Sequence, residues 1–229
     1  MKNILTGTLL LLTFLLASCQ LDDTPDPTEP IIEPRFSTLI ERDTISSGSY
    51  LGINISEKAE TIYTSIQSLK SSNDVSYVNL VSNISSDITK LSNRLPLYQS
   101  ILLDQKEGTD SGVQITVETG KVKSIYLNSG KTLTQWPEKS DSKSSVRTGD
   151  QAVELYQKLV NIRNKGTYAR KFERISLPTK DLSLSFDPVM AQLPQWYFAY
   201  QTGPDLWELV QMYLKDGKLD HIVVERYKY

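Results

Sequence analysis

Apolar residues recur at three- and four-residue steps in two stretches of the chain, and this spacing predicts an amphipathic helix in each stretch. Ser56 precedes the first helix as its predicted N-cap, and Thr148 with Asp150 marks the start of the second. Asn164-Lys165-Gly166 is typical of a helix end. The apolar positions are Ala59, Ile62, Tyr63, Ile66 and Leu69 in the first helix, and Ala152, Leu155, Tyr156, Leu159 and Ile162 in the second.

Alternating apolar and polar residues predict strands after each helix. The pattern covers residues 113–118 in the first half of the chain and residues 195–201, 206–215 and 218–227 in the second half. The dipeptides Gly120-Lys121 and Asp216-Gly217 lie between apolar runs and predict tight antiparallel hairpins. Residues 75–92 fit a helix or a strand, and the sequence leaves both interpretations open.

The two halves of the chain match each other in four blocks that occur in the same order, which indicates an internal duplication. We therefore predict an α+β fold of two tandem repeats, each an N-terminal helix packed on a small antiparallel β-sheet. The predicted repeats span residues 36–137 and 148–229, with a serine- and lysine-rich linker at 138–147. The matched blocks are the two helical stripes (offset 93), Tyr77, Ile84 and Ser85 with Tyr168, Ile175 and Ser176 (offset 91), Leu95-Pro96 with Leu193-Pro194 (offset 98), and Gly120-Lys121 with Gly217-Lys218 (offset 97).

This order of elements resembles the small helix-plus-sheet modules of bacterial envelopes, such as PepSY-type domains. It is also similar to the tandem repeats of β-lactamase inhibitor proteins. The resemblance covers most of residues 50–229 and rests on element order and on the Gly-Lys hairpins, without a family signature. It implies a binding role, and it assigns no functional residues.

The N-terminus carries a charged residue, a short apolar run and then a cysteine. Lys2 precedes the apolar residues 4–16, which are too few to span a bilayer as a helix. The run ends in Leu16-Ala17-Ser18-Cys19, which resembles the lipobox of a bacterial lipoprotein signal peptide. The resemblance implies that residues 1–18 are removed and that the Cys19 thiol and amine carry fatty acyl chains. An ordinary secretory peptide with an incidental cysteine is the alternative.

Residues 19–35 form a predicted tether between the anchor and the folded body. Four prolines and five acidic residues favour an extended chain, and the acidity argues against adhesion to anionic lipid. Gln20 does not indicate retention in the inner membrane, so the outer membrane is the favoured location. The segment Cys19 to Asp23 resembles the surface-export tags of Bacteroidetes lipoproteins, whereas a Gram-positive plasma membrane is the alternative.

The composition excludes several classes of chemistry. The formal charge is −2 and becomes −3 without Lys2. The composition therefore gives no sign of the basic surface that nucleic-acid binding requires. His221 is the only histidine and Cys19 the only cysteine, so we expect no zinc site, no disulfide, no cofactor and no catalytic residues. Loop aspartates Asp181, Asp187 and Asp205 are the remaining candidates for a carboxylate-dependent hydrolase, the least favoured alternative.

Aromatic residues near the C-terminus are the candidate ligand-binding residues. Trp196, Trp207 and Tyr213 could present a stacking surface, although alternation sends about half of such side chains into the core. The first hypothesis is a lipid-anchored envelope protein that binds another macromolecule, a protein foremost, without catalysis. The second is a surface glycan-binding accessory lipoprotein.

Overall fold

The computed structural model describes residues 37–106 and 108–229. The predicted signal peptide, Cys19 and the tether to residue 35 lie outside the described residues. The described chain has two α-helices, α1 (Ala59–Asn73) and α2 (Leu155–Asn164). Its strands are β1 (Thr38–Ile45), β2 (Ser49–Tyr50), β3 (Ile53–Asn54), β4 (Tyr77–Leu80), β5 (Ile84–Ser85), β6 (Tyr98–Asp104), β7 (Val113–Glu118), β8 (Lys121–Leu127), β9 (Thr132–Leu133), β10 (Gln135–Trp136), β11 (Val146–Arg147), β12 (Arg174–Asp181), β13 (Gln195–Gly203), β14 (Leu206–Lys215) and β15 (Lys218–Lys228).

Eleven of the strands form one antiparallel sheet, and the predicted fold class is wrong. The order across the sheet is β1-β15-β14-β13-β4-β12-β6-β7-β8-β9, with β5 also paired to β12. The described part of the chain is therefore mostly β, with two short helices, and it does not form two tandem helix-on-sheet repeats. The limits 36–137 and 148–229 stay predictions of where the related segments lie.

The prediction failed because the two segments exchange strands at the centre of the sheet. Strand β4, from the first segment, pairs with β13 of the second, while β12, from the second segment, pairs with β6 of the first. Strands β4 and β12 then pair with each other. Because each segment supplies a strand to the other, neither has a sheet of its own.

The helices are exchanged in the same way. The backbone N–H of Ala59, at the start of α1, donates to Gly217 in the second hairpin (2.9 Å). The N–H of Ala152, just before α2, donates to Gly120 in the first hairpin (2.8 Å). Ala59 and Ala152 are 93 positions apart, and Gly120 and Gly217 are 97 apart. Residues that match between the two halves of the sequence thus make equivalent contacts in the structure.

Both predicted helices form, with different starts. All five predicted apolar residues of α1 are buried. The predicted N-cap is wrong, because Lys58 is the N-cap residue, whereas Ser56 has a φ of 68° and donates its N–H to Leu219. Helix α2 follows a 3-10 turn (Ala152–Glu154) and ends near Gly166, whose φ is 81°. Within the described residues, no helix has the length and apolarity to cross a membrane.

Both hairpins form, the second at the predicted Asp216-Gly217 and the first one residue earlier than predicted, at Thr119-Gly120, because Lys121 already belongs to β8. The ambiguous segment is settled as well. Thr119 and Gly120 have φ values of 49° and 74°, and Asp216 and Gly217 have 52° and 73°, so both turns have the two positive φ values of a tight I′ hairpin. Residues 75–92 contain strands β4 and β5 and a 3-10 turn (Ile88–Leu91). The predicted linker contains a 3-10 turn (Ser142–Ser144) and strand β11.

A lysine is buried on the core side of the central strand β12. The Lys180 side chain is 0% exposed, and its Nζ donates to the hydroxyl of Tyr63 (2.9 Å) and the carbonyl of Asp181 (2.7 Å). Burial lowers the pKa of Lys180 from its ordinary value of 10.5 to about 8, although the carboxylates of Asp181 and Asp187 oppose the shift. The fold therefore favours the neutral amine.

Replacing this lysine should change how stability depends on pH. Between pH 8 and pH 10.5 the unfolded chain binds more protons at Lys180 than the folded chain, so the free energy of unfolding should rise with pH in that window. We expect Lys180→Met to remove this rise and to add about 1–3 kcal/mol of stability at pH 7. Urea unfolding across pH 7–10 measures both effects.

Lys123→Met is the matched control, because the Lys123 side chain is 68% exposed. We expect it to change stability by less than about 0.5 kcal/mol and to keep the pH-dependent rise. A Lys180→Met variant that is less stable than the wild type at pH 7 would show that the hydrogen bonds of Lys180 outweigh its desolvation.

Candidate functional site

One face of the large sheet carries the helices, and no helix within residues 37–106 and 108–229 covers the other face. Side chains of β13, β14 and β15 alternate between fully buried and partly exposed positions. Both α-helices contribute their buried residues to a single core on the first face. We call the second face of these three strands the open face. Of its apolar residues, Val223 is buried by its neighbours, Ala199 is exposed, and five are half-buried: Tyr197, Trp207, Leu209, Tyr213 and Tyr227.

Strand register brings these side chains into contiguous rows. Trp207 lies opposite Tyr227 on β15, and Leu209 lies opposite Glu225. The Tyr213 ring stacks on the His221 imidazole, with ring centroids 4.5 Å apart and planes 7° apart. The Trp207 ring meets Tyr229 edge to face at 6.3 Å. The open face is therefore an aromatic and aliphatic surface whose rings are fixed by their neighbours.

Charged and amide side chains lie among and around these apolar residues. The Arg42 Nε of β1 lies 3.4 Å from Glu225, which also accepts a hydrogen bond from the Tyr227 hydroxyl (2.8 Å). Gln195 Nε2 donates to Gln211 Oε1 (3.0 Å). His221 Nδ1 lies 2.7 Å from the Asp220 carboxylate. Gln211 lies between Leu209 and Tyr213 on β14, and Glu225 lies between Val223 and Tyr227 on β15, so the open face mixes apolar and polar side chains.

A buried carboxylate fixes the strands beneath the open face. Glu208 points to the core side of β14 and accepts hydrogen bonds from the Tyr50 and Tyr200 hydroxyls and from Arg226 Nε (2.7 Å). Burial raises the pKa of Glu208, but these three donors outweigh it and hold the pKa below its usual range. Arg226 also contacts Glu41 and Asp43, which attaches the edge strand β1 to β15.

A cleft opens at the edge of the open face, beside Trp207. It encloses about 630 Å³. Tyr77, which is 45% exposed, lines it together with Trp207. The segment from Lys70 to Ser76, which leads from the last turn of α1 towards β4, forms one wall, and Ala199, Tyr200 and Gln201 of β13 form the other. We call this the Trp207 cleft.

The three predicted ligand-binding residues do not form one site. Trp196 is 0% exposed, and its indole N–H donates to the Met190 carbonyl (3.1 Å), so this residue belongs to the core and cannot contact a ligand. Trp207 and Tyr213 both lie on the open face. They are six residues apart on β14, about 20 Å, so they belong to one broad surface rather than to one small pocket.

Tyr77 and Ala199, which complete the Trp207 cleft, were not among the predicted site residues. Tyr77 lay in the segment that fitted helix or strand, and Ala199 carries no chemical signal of its own. The two residues come together because β4 pairs with β13, a contact between the two halves of the chain that no local pattern reveals.

Two of the loop aspartates, Asp181 and Asp187, lie near the buried Lys180, and Asp205 lies apart from them. Asp187 is 1% exposed and forms an ion pair with Arg94 (2.7 Å). Asp181 accepts hydrogen bonds from Ser183, and Asp205 lies exposed in the turn beyond β13. Asp187 contacts Tyr98 and Arg94, whereas Asp205 lies in the turn after β13, so these two share no contact among the described residues. Over residues 37–106 and 108–229, no three His, Cys, Asp or Glu side chains are placed to share a metal ion.

Comparisons with protein-family profiles, with curated protein sequences and with solved structures found no match. The open face and the Trp207 cleft are therefore interpreted from their own geometry.

Proposed function

We propose that this chain is a lipid-anchored lipoprotein of the cell envelope that binds another protein through its open face and has no catalytic activity of its own. The open face carries the proposal, because its half-buried aromatic and aliphatic side chains lie among charged and amide groups on one surface. Non-obligate protein interfaces have such a mixed composition and are enriched in aromatic residues.

The arrangement of the rings supports a protein partner over a sugar. Stacking against a sugar requires an aromatic ring whose flat side faces solvent. One side of the Tyr213 ring is covered by His221, and Leu209 and Val223 add aliphatic surface between the aromatic residues. Aliphatic surface of this kind gains from contact with apolar side chains of a protein.

Anchoring is supported by the Leu16-Ala17-Ser18-Cys19 lipobox. Two or more acyl chains on Cys19 would hold the protein on a membrane, because each buried methylene contributes about 0.8 kcal/mol. We propose the outer membrane, with the body periplasmic or surface-exposed, and the Gram-positive plasma membrane is the alternative.

Glycan binding is the second candidate, and the Trp207 cleft is the observation that favours it. Two aromatic side chains, Tyr77 and Trp207, line a cleft whose other wall offers hydroxyl and amide groups from Ser71, Ser72 and Asn73. Aromatic side chains combined with such polar groups also suit sugar rings.

Site-specific photo-crosslinking in cells that make the protein separates the candidates. A photoreactive residue at Leu209, at the centre of the open face, should form a covalent adduct with one protein. The same residue at Thr64, an exposed position on α1, is the control and should form no such adduct. Identical adducts at both positions would contradict the proposal, and adducts containing only carbohydrate at Leu209 would support the glycan alternative.

Truncating Trp207 should weaken binding of the protein recovered from the Leu209 adduct. Large aromatic residues at the centre of an interface commonly contribute 2 kcal/mol or more, so we expect Trp207→Ala to raise the Kd about 30-fold. Tyr126→Ala is the matched control, because Tyr126 is 38% exposed on β8, about 30 Å across the sheet from β14. A change of less than threefold for Trp207→Ala would place the binding surface elsewhere.

A further inference from the structure

The two related halves of the sheet differ at one position, where a strand is paired over a shorter length. Strand β6 is paired with β12 from Tyr98 to Asp104. Strand β13 is the corresponding strand of the other half, since Trp196 matches Tyr98 at an offset of 98. Its pairing with β4, however, covers only Trp196 and Tyr197, although β13 continues to Gly203. Among the described residues, no strand pairs with the rest of β13 on this side.

The unpaired part of β13 turns its backbone towards the Trp207 cleft. The Gln195 carbonyl accepts a hydrogen bond from the Val81 N–H (3.0 Å), and Tyr197 pairs with Asn79. Every second residue of an antiparallel strand points its N–H and C=O to the same neighbour. The backbone groups of Ala199 and Gln201 therefore point to the side where the pairing with β4 has stopped, and both residues line the cleft.

The side chains around this edge leave room for a further strand. Ala199 is small and exposed, whereas Tyr77 and Trp207, which also line the cleft, are large. A residue placed against Ala199 would thus contact two aromatic rings. In the related half, β12 occupies the same place along β6, so this sheet accommodates a strand at this position.

We propose that the Trp207 cleft binds an extended peptide segment of the partner protein, which pairs with β13 from Ala199 to Gly203 as an additional strand. The segment places an apolar side chain between Tyr77 and Trp207. This proposal rests on the proposed function, because it names the part of the partner that the open face recognises. A row of backbone amide and carbonyl groups is complementary to another polypeptide backbone, and strand addition at a sheet edge is a common mode of peptide recognition.

The test uses a phage-displayed library of random heptapeptides, selected on the lipidated full-length protein in nanodiscs. Enriched peptides are then synthesised with single N-methyl groups, which remove one backbone N–H at a time. An extended peptide turns alternate amides towards its neighbouring strand. We expect N-methylation at alternate positions to weaken binding at least tenfold, and N-methylation between them to weaken it less than threefold.

A variant of the protein provides an independent measurement. Ala199→Pro removes the N–H that faces the cleft and leaves the pairing of β13 with β14 intact, because that ladder uses the neighbouring residues. We expect Ala199→Pro to weaken peptide binding at least tenfold, while Ala199→Ser stays within twofold. Because proline could unfold the strand, thermal unfolding is measured in parallel, and the N-methyl scan on the wild type decides the result if Ala199→Pro does not fold.

Two results would overturn the strand addition. One is a library that enriches no peptide over a Trp207→Ala protein, and the other is an enriched peptide that tolerates N-methylation at every position. In either case, a protein adduct at Leu209 would leave the proposed function standing with a different mode of contact. The loss of both peptide binding and the Leu209 adduct would remove the proposed function as well.

Discussion

Cys19→Ala should abolish acylation of the chain and its processing at residue 18. The wild-type N-terminal peptide is expected to start at residue 19 and to carry the mass of two or three acyl chains, since a single chain binds membranes only reversibly. The alanine variant has no thiol to modify and should keep residues 1–18. Mass spectrometry of the N-terminal peptide measures the cleavage site and the acyl mass in one experiment.

Ser18→Ala is the matched control, because it keeps a small residue before the cysteine and leaves the thiol in place. It should be processed and acylated as the wild type is. A wild-type peptide without acyl mass, or cleaved at another position in both proteins, would contradict the anchor and leave a secreted binding protein.

Asp187→Ala should destabilise the fold by about 3–5 kcal/mol, because it leaves a buried guanidinium without its carboxylate. Arg94 Nε lies 2.7 Å from Asp187, and the Arg94 side chain is 16% exposed. Asp187 also accepts hydrogen bonds from the Tyr98 hydroxyl and from the Val189 N–H (3.1 Å), which begins a 3-10 turn. Urea unfolding of the two proteins measures the difference.

Asp205→Ala provides the control for this substitution. Asp205 is exposed in the turn between β13 and β14, and its backbone carbonyl accepts a hydrogen bond from the Tyr229 N–H (3.0 Å). Its loss should cost less than about 0.5 kcal/mol. Equal effects of the two substitutions on the free energy of unfolding would show that the Arg94–Asp187 pair stabilises the fold no more than an exposed aspartate does.

Local structure could be predicted from the sequence because local patterns cause it. The stripe from Ala59 to Leu69 specifies a helix face, and Asp216-Gly217 supplies the two positive φ values that a tight hairpin needs. The arrangement of the sheet could not be predicted. Alternation identifies the buried face of a strand but not its partner, and β4 pairs with β12 and β13 about 100 residues later.

The candidate site was predictable to the same limited extent. Aromatic residues at 196–213 marked the right region, but Trp196 and Trp207 lie on opposite faces of the sheet. Which alternate positions face the core depends on the pairing register between β13 and β14, in which Trp196 lies opposite Met212 and Trp207 opposite Gln201. The sequence pattern alone does not show which residues of the two strands lie opposite each other.

Lys180 illustrates a further limit of sequence patterns. Strand β12 has a register irregularity between Ser176 and Thr179, and beyond it Lys180 lies on the core face. A lysine in an amphipathic pattern is normally assigned to the solvent face, so the pattern alone would place this residue outside. Only the irregularity, together with the Tyr63 hydroxyl as a hydrogen-bond partner, accounts for its burial.

Hydroxyl-radical footprinting tests the central claim, that the open face contacts a partner in the envelope, most directly. Side-chain oxidation is compared between the purified protein and the same protein in isolated envelopes. Oxidation of Tyr197, Trp207 and Tyr213 should fall in the envelopes, while Tyr126, at the far end of the sheet, should be oxidised equally in both. Unchanged oxidation of the three open-face residues, or protection of Tyr126 alone, would contradict the claim.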